Sequence, residues 1–285
     1  MEALSVPSPT ALMSAAARAA HLLVDGPTPL LVDAQALALC RAVGSSPLDY
    51  QLAAPREPVL AAARLSAVVR SRFAEQIARR SSTDQYVVLG AGLDSSGHRL
   101  QASTRTWLVD LPTVLRWRAS AFAAAEIEDV GAAVPLDLAT ADVPAALAAA
   151  GGDLERPVVV SWLGTVMYLD LPQVERVLGQ LSALAPGSHL VFDCIVPPSE
   201  RDPAGQAYAE AVSAVAGTSG EPWRSTFSAT DVEDVLSRTG WRLERSANEA
   251  EVVPDGSWQE HEALRPQRLV RLVHASTNPD GRPTP

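Results

Sequence analysis

The sequence is short of several features that would each define a class of protein. Only two cysteines occur, Cys40 and Cys194, too few for a disulfide framework or a thiolate cluster. The pair fits a reducing, cytoplasmic compartment. Five histidines occur without HExxH or any comparable spacing, so no metal is expected. Cations are outnumbered, with 23 Lys plus Arg against 33 Asp plus Glu and a formal net charge of -10. That balance excludes a broad nucleic-acid surface, which needs basic side chains along phosphates, although a small basic pocket remains compatible with it. No apolar run is long enough to cross a bilayer, and LMSAAARAAHLL is interrupted by Arg18 and His21. The start, MEALSVPSPT, has no basic stretch ahead of an apolar one, so no signal peptide is expected.

What is present is a globular composition: 285 residues, 47% of them hydrophobic. That length can bury a core without metals or disulfides. Residues 11–24, 32–42 and 60–80 read as helices, capped at the start by Ser8 or Thr10, with a proline-punctuated loop over 45–58. Short β-branched runs follow at 85–90, 106–110, 132–138, 157–163 and 188–196. Helical stretches at 112–125, 142–150 and 171–184 separate them, the last opened by Asp170 and Pro172. Strands alternating with helices, and apolar throughout, imply a mostly parallel sheet covered on both faces. Later come a helix at 204–216, a helix at 231–238 capped by Thr230 with Glu233, and Gly240 to end it. Two late strands are expected, in 241–253 and 267–275.

The expected organisation is an N-terminal helical cap over 1–80 and an α/β Rossmann-like core over 81–275. Residues 197–226 form an insertion on the substrate side of that core, and 276–285 a disordered tail.

The stretch VVLGAGLDS carries the functional signal. A strand runs straight into Gly90-Ala91-Gly92, and glycines at a strand's carboxyl end let the backbone turn tightly and approach a ligand. Asp110 lies twenty residues beyond Gly90, at the end of the next strand, where a carboxylate can accept from both ribose hydroxyls. The pair points to an adenosine-containing cofactor. The third glycine of the dinucleotide fingerprint is replaced by Ser95, which weakens a pyrophosphate-binding reading. Asp94 would repel a pyrophosphate and attract a sulfonium or ammonium, so the charge favours S-adenosylmethionine. There is no Walker A loop.

VVLGAGLDSSGHRL, then WLVDLP, then SWLGTVMYLDLPQV resembles the leucine carboxyl methyltransferase superfamily, and more narrowly the bacterial S-adenosylmethionine-dependent methyltransferases related to polyketide O-methyltransferases. The resemblance runs from about residue 10 to about 245. It implies a class I methyltransferase fold and transfer of a methyl group, often to a carboxylate or hydroxyl oxygen. It implies that Arg70, with Arg72 as the alternative, holds the cofactor's carboxylate. Gly90, Gly92 and Asp94 match the glycine loop, and Asp110 the ribose-binding acid. Asp137-Leu138 matches the pair at the adenine. Tyr168 matches a tyrosine beside the methyl-transfer region and is the catalytic candidate. The chain departs from the pattern at Ser95-Ser96-Gly97-His98, at Leu108 where many members of the family it resembles have glutamate, and at Leu163 where many also have glutamate.

Competing readings attach to several residues. Arg70 and Arg72 could face solvent and pair with Glu75, within helical reach. His98 is a base candidate or a surface histidine of a helix. His189 reads as structural, Cys194 as a small buried hydrophobe. Trp162 and Tyr168 flank Gly164 past a strand end, where ligands bind or where aromatics pack. Asp193 is a weaker pocket candidate. The expected activity is S-adenosylmethionine-dependent O-methylation of a small-molecule carboxylate or hydroxyl, with no nucleic-acid or membrane partner. The alternatives are a non-catalytic S-adenosylmethionine-binding or structural protein that keeps the fold, and a nicotinamide-dependent oxidoreductase.

Overall fold

Proline at a first helical turn costs no hydrogen bond, because the N–H it lacks has no intrahelical partner there. The chain uses this repeatedly. In the computed structural model, which describes residues 8–43, 46–219, 222–253, 261 and 263–277, α1 (Pro9–Val24) starts on Ser8, whose hydroxyl accepts from the Ala11 amide at 3.3 Å. α2 (Ala34–Val43) is capped by Asp33, which accepts from Ala36 N at 3.0 Å. The expected loop over 45–58 contains a further helix, α3 (Ser46–Ala53), with Pro47 in its first turn. Its proline is a start signal rather than a breaker. α4 (Pro58–Arg80) runs for 23 residues with its inner face buried.

The strands are β1 (Gln85–Leu89), β2 (Arg105–Asp110), β3 (Ala132–Pro135), β4 (Val159–Trp162), β5 (His189–Ile195), β6 (Trp241–Ala247) and β7 (Val270–Thr277). Between them lie α5 (Pro112–Ala124), α6 (Val143–Ala149), α7 (Leu171–Leu181), α8 (Pro203–Ser219), α9 (Ala229–Arg238) and a single turn, α10 (Glu249–Val252). The sheet order is β3-β2-β1-β4-β5-β7-β6. The first five strands are parallel, and β7 runs antiparallel to both β5 and β6. This is the expected Rossmann-like α/β fold with a mostly parallel sheet. The sheet is buried on both faces. Val87, Leu89, Val109 and Val160 pack toward α7 and α9, while Tyr86, Val88, Leu108 and Val159 pack on the other side.

Three expectations at the C-terminal end are corrected. α9 is capped by Ser228, not Thr230, and the reciprocal partner is Asp231, not Glu233. Ser228 is the residue that holds an extended conformation just before the helix, and the box shifts with it. The strand read over 241–253 stops at Ala247, because Asn248 caps α10 with Glu251. Ser276 and Thr277, assigned to a tail, belong to β7, and Thr277 N donates to Ser188 O. The rest of that tail, 278–285, lies outside the described residues.

The strand order changes direction between β1 and β4, which opens a crevice at the carboxyl ends of the parallel strands. α1 and α4 lie across it.

Candidate cofactor and substrate cleft

β1 ends in the Gly90-Ala91-Gly92 turn. Gly90 has φ +71 and Gly92 φ +43, in the left-handed region that glycine enters without a Cβ penalty. A Cβ on Gly90 would lie 2.2 Å from Thr165 Oγ1, so the turn also needs the missing side chain for space. The loop is tied to β2: Gly90 N and Ala91 N both donate to Val109 O, and Gly92 N donates to Asp110 Oδ2 at 2.8 Å. Asp110 Oδ1 accepts from Leu111 N at 2.7 Å. The carboxylate therefore joins the glycine loop to the end of β2.

A cavity of about 650 Å³ opens over this corner. Gly90, Gly92, Asp94 and Asp110 line it, and so do Asp137 and Leu138 past the end of β3. Arg70 and Tyr168 line it from the opposite side. The structure thus brings all eight singled-out residues to one cavity, though they are spread over 99 positions of sequence (70 to 168). Leu138 is buried and Asp137 exposed, with Asp137 Oδ1 accepting from Ala139 N at 2.8 Å. Asp94 Oδ1 accepts from Ser96 N at 2.8 Å, so part of its charge starts the short helical turn at Ser96–Arg99.

The two arginines point in different directions. Arg70 reaches over the end of β4: its Nη2 donates to Ser14 of α1 at 2.8 Å, and its Nη1 lies 3.7 Å from Asp193 Oδ2. A Cβ on Gly164 would come within 2.9 Å of that guanidinium. Arg72 turns away and donates to Leu30 O at 2.8 Å. Neither pairs with Glu75, whose carboxylate is fully buried and held by Arg79 and Arg99.

Position decides the readings left open for the other residues. Trp162 is completely buried in the core beneath the cleft and does not line it. His98 is half-buried against Phe122, with ring centroids 6.1 Å apart, and lies outside the cavity. Burial and then the nearby Arg118 push its pKa down. A base there has no access to the cleft. Asp193 is the reverse case. It is fully buried, lines the cavity, and accepts from Gly164 N at 2.5 Å. Burial pushes its carboxyl up, against the pull of Arg70 and the Gly164 amide. His189 pairs with His274 across β5 and β7, and Cys194 is buried in the core.

The support beneath the glycine loop was not read from the sequence. The chain has no lysine, so all 23 cations are arginines, and three of them hold this loop. Arg118 donates to Gly92 O at 3.1 Å and Asp94 O at 2.6 Å while pairing with Asp129. Arg18 donates to Leu93 O at 2.8 Å and to Asp33 at 2.8 Å. Arg99 binds Asp33 and Ser95 at 2.8 and 2.9 Å. The available signal was a lone arginine in an alanine-rich helix: Arg18 interrupts an apolar face, and a charge placed there must be paired.

A mostly parallel sheet with a glycine turn, a carboxylate bonded to that turn and a cavity at the switch point defines a Rossmann-like α/β fold. The leucine carboxyl methyltransferase family model matches residues 11–182, and the chain belongs to that family. A relative from Mycobacterium marinum, named by inference as an S-adenosyl-L-methionine-dependent methyltransferase, is 34% identical over 220 residues, covering 68% of this chain and 65% of the relative. One from Mycobacteroides abscessus with the same designation is 29% identical and covers 87% and 86% of the two chains. Among solved structures, a methyltransferase, also so named by inference, from Thermobifida fusca aligns with TM-score 0.58 at 21% identity over 92% of this chain and 94% of its own. A DUF574-family protein from Streptomyces avermitilis aligns with TM-score 0.59 at 18% identity over 84% and 95%. These two support the fold.

Proposed function

We propose that this chain is an S-adenosylmethionine-dependent methyltransferase that methylates an oxygen of a small organic acceptor, a carboxylate in preference to a hydroxyl. The carrying observation is the convergence on one cavity of the glycine turn, the Asp110 carboxylate bonded to it, and the Arg70 guanidinium. An adenosine fits between Asp110 and the Asp137–Leu138 corner. An amino-acid end fits toward Arg70. The glycine turn, where a side chain would collide, leaves the room between them.

S-adenosylmethionine supplies a methyl group already activated on a sulfonium. The protein's task is then alignment and exclusion of water. Asp110 accepts from the ribose hydroxyls, Leu138 packs against the base, and Arg70 meets a carboxylate with its planar fork. Tyr168, at the partly buried turn after β4, flanks the path of transfer. An acceptor carboxylate is ionised at neutral pH and needs no base. The methyl carbon gains a bond to that oxygen as its bond to sulfur breaks, giving a methyl ester and S-adenosylhomocysteine.

Arg224 supports the carboxylate. It lines the cavity, as its sequence neighbour Trp223 does, is exposed, and its side chain has no hydrogen bond or ion pair among the described residues. Tyr50, Trp223 and Tyr208 also line the cavity and suit an apolar or aromatic acid. The test is incubation with labelled S-adenosylmethionine and a metabolite extract, followed by mass spectrometry. A base-labile ester supports the reading. A base-stable ether or an N-methyl product refutes the carboxylate. For the acceptor so found, Arg224→Ala should raise KM at least about threefold, the low end for a charge-assisted hydrogen bond, and leave S-adenosylhomocysteine affinity unchanged.

A further inference from the structure

Asp193 is a carboxylate of which the fold uses one oxygen. It sits near the end of β5, entirely buried, in a position flanked in sequence by Phe192 and Cys194 of the core. One oxygen, Oδ1, accepts from the backbone amide of Gly164 at 2.5 Å. The other, Oδ2, has no hydrogen-bond partner. A buried carboxylate oxygen without a donor is costly, and native proteins keep few of them. This one belongs to a side chain that lines the cleft.

Its neighbour explains part of the cost but does not remove it. Arg70 Nη1 stands 3.7 Å from Oδ2, close enough for attraction and too far for a hydrogen bond. Arg70 spends its short contact elsewhere, on Ser14 Oγ at 2.8 Å. The corner therefore presents one fixed cation and one fixed anion side by side, each with unused hydrogen-bonding capacity. Burial disfavours the ionised Asp193, and Arg70 and the Gly164 amide favour it. A second cation at Oδ2 would complete the set.

An α-amino acid carries its carboxylate and its ammonium on one carbon. A planar guanidinium suits the carboxylate. An ammonium brings three N–H donors and no acceptor, so it needs an oxygen such as Oδ2. Leu163, just past the end of β4, brings no carboxylate to this corner; Asp193 supplies one from the adjacent strand and fixes the amide of the very next residue, Gly164.

We propose that Asp193 and Arg70 form a charge-matched receptor for a zwitterionic amino-acid end, with Asp193 Oδ2 accepting from the ammonium of the cofactor's methionine moiety. This rests on the S-adenosylmethionine reading above, and it adds a residue and a selectivity. A ligand with the adenosine and the carboxylate but without the ammonium leaves Oδ2 orphaned and binds worse. A phosphate-bearing cofactor meets an anion at the same place and is rejected.

The test compares two ligands by isothermal titration: S-adenosylhomocysteine, and its desamino analogue, in which the amino-acid end is a simple carboxylic acid. The wild type should bind the first at least about tenfold more tightly, the scale of one charge-assisted hydrogen bond. In Asp193→Asn the amide oxygen still accepts from Gly164 N, so the end of β4 keeps its anchor. That variant should lose S-adenosylhomocysteine affinity by about tenfold and leave the desamino ligand within about threefold, collapsing the discrimination. Arg70→Ala should weaken both ligands. Equal binding of the two ligands by the wild type overturns the proposal whether or not the variant folds. So does an Asp193→Asn variant that loses both equally or neither. A wild type that binds no S-adenosylhomocysteine at all overturns the cofactor reading itself, and is a different result from either.

Discussion

Asp33→Asn removes the charge at the centre of the network under the glycine loop while keeping the shape. The wild-type carboxylate is completely buried. Its Oδ2 accepts from Arg18 Nε at 2.8 Å, and its Oδ1 lies 2.8 Å from Arg99 Nη1. Ser95 Oγ donates to it at 2.7 Å, and Ala36 N at 3.0 Å. Burial alone would raise the carboxyl, but Arg18 and Arg99 outweigh it and hold it down at about 2, against an ordinary 3.8. That difference corresponds to about 2 kcal/mol of folding stability at neutral pH. Asparagine keeps the Ala36 cap and leaves Arg18 without its carboxylate partner, while Arg99 retains Glu75. Leaving a buried cation unpaired costs about 3–5 kcal/mol, and the retained Glu75 contact places the expectation near the lower end, about 3 kcal/mol. Urea unfolding at pH 7 measures it. The pH dependence carries the sign. A depressed carboxyl contributes its full stability above its unfolded value, and loses it as pH falls from about 4 through about 2. The difference between wild type and variant should therefore be flat at neutral pH and shrink in that window. A loss below about 1 kcal/mol at pH 7, the range of an exposed pair, would refute the claim that this network holds the loop.

Other consequences follow from direction and space. Arg70→Ala should weaken S-adenosylhomocysteine binding by about 2 kcal/mol, the scale of a charge-assisted pair, while Arg72→Ala should leave affinity unchanged and lower the unfolding midpoint slightly through its lost bond to Leu30 O; titration and thermal melts separate the two, and the opposite pattern would mean that the receptor arginine is misassigned. Gly90→Ala should abolish measurable cofactor binding, since the methyl meets Thr165 Oγ1 at 2.2 Å at a positive φ; the double variant Gly90→Ala with Thr165→Ser, which trims only Cγ2, should not restore it, and near-native affinity in either would contradict the account of the turn.

The fold was legible wherever pattern and geometry share a period. The apolar runs at 85–89, 159–162 and 189–195 are strands because they are buried on both faces, and the parallel order follows from the helices between them. Legibility failed where a residue has two meanings. Pro47 reads equally as a breaker and as a first-turn residue, so the sequence does not separate α3 from a loop. Ser228 and Thr230 are both plausible caps, and only the extended backbone at Ser228 decides. In the site, motif-bearing residues were readable because they are close to strand ends: Gly90, Gly92, Asp110, and the Asp137–Leu138 pair. What was not readable is what long-range packing brings in. Ser14 meets Arg70 across 56 positions, and Arg18 meets Leu93 across 75. Trp162 and His98 stay open in the sequence for the complementary reason. Both sit near cleft residues in sequence, yet Trp162 points into the core and His98 toward Phe122.

The central claim is that Asp110 and the glycine turn receive the adenosine of S-adenosylmethionine. Calorimetric titration of the wild type and Asp110→Ala with S-adenosylmethionine, S-adenosylhomocysteine and NAD tests it directly. The account predicts saturable binding of the first two by the wild type, none of NAD, and a loss of at least about tenfold in Asp110→Ala through missing ribose contacts. Binding of NAD in place of S-adenosylmethionine, or unchanged affinity in Asp110→Ala, would contradict it.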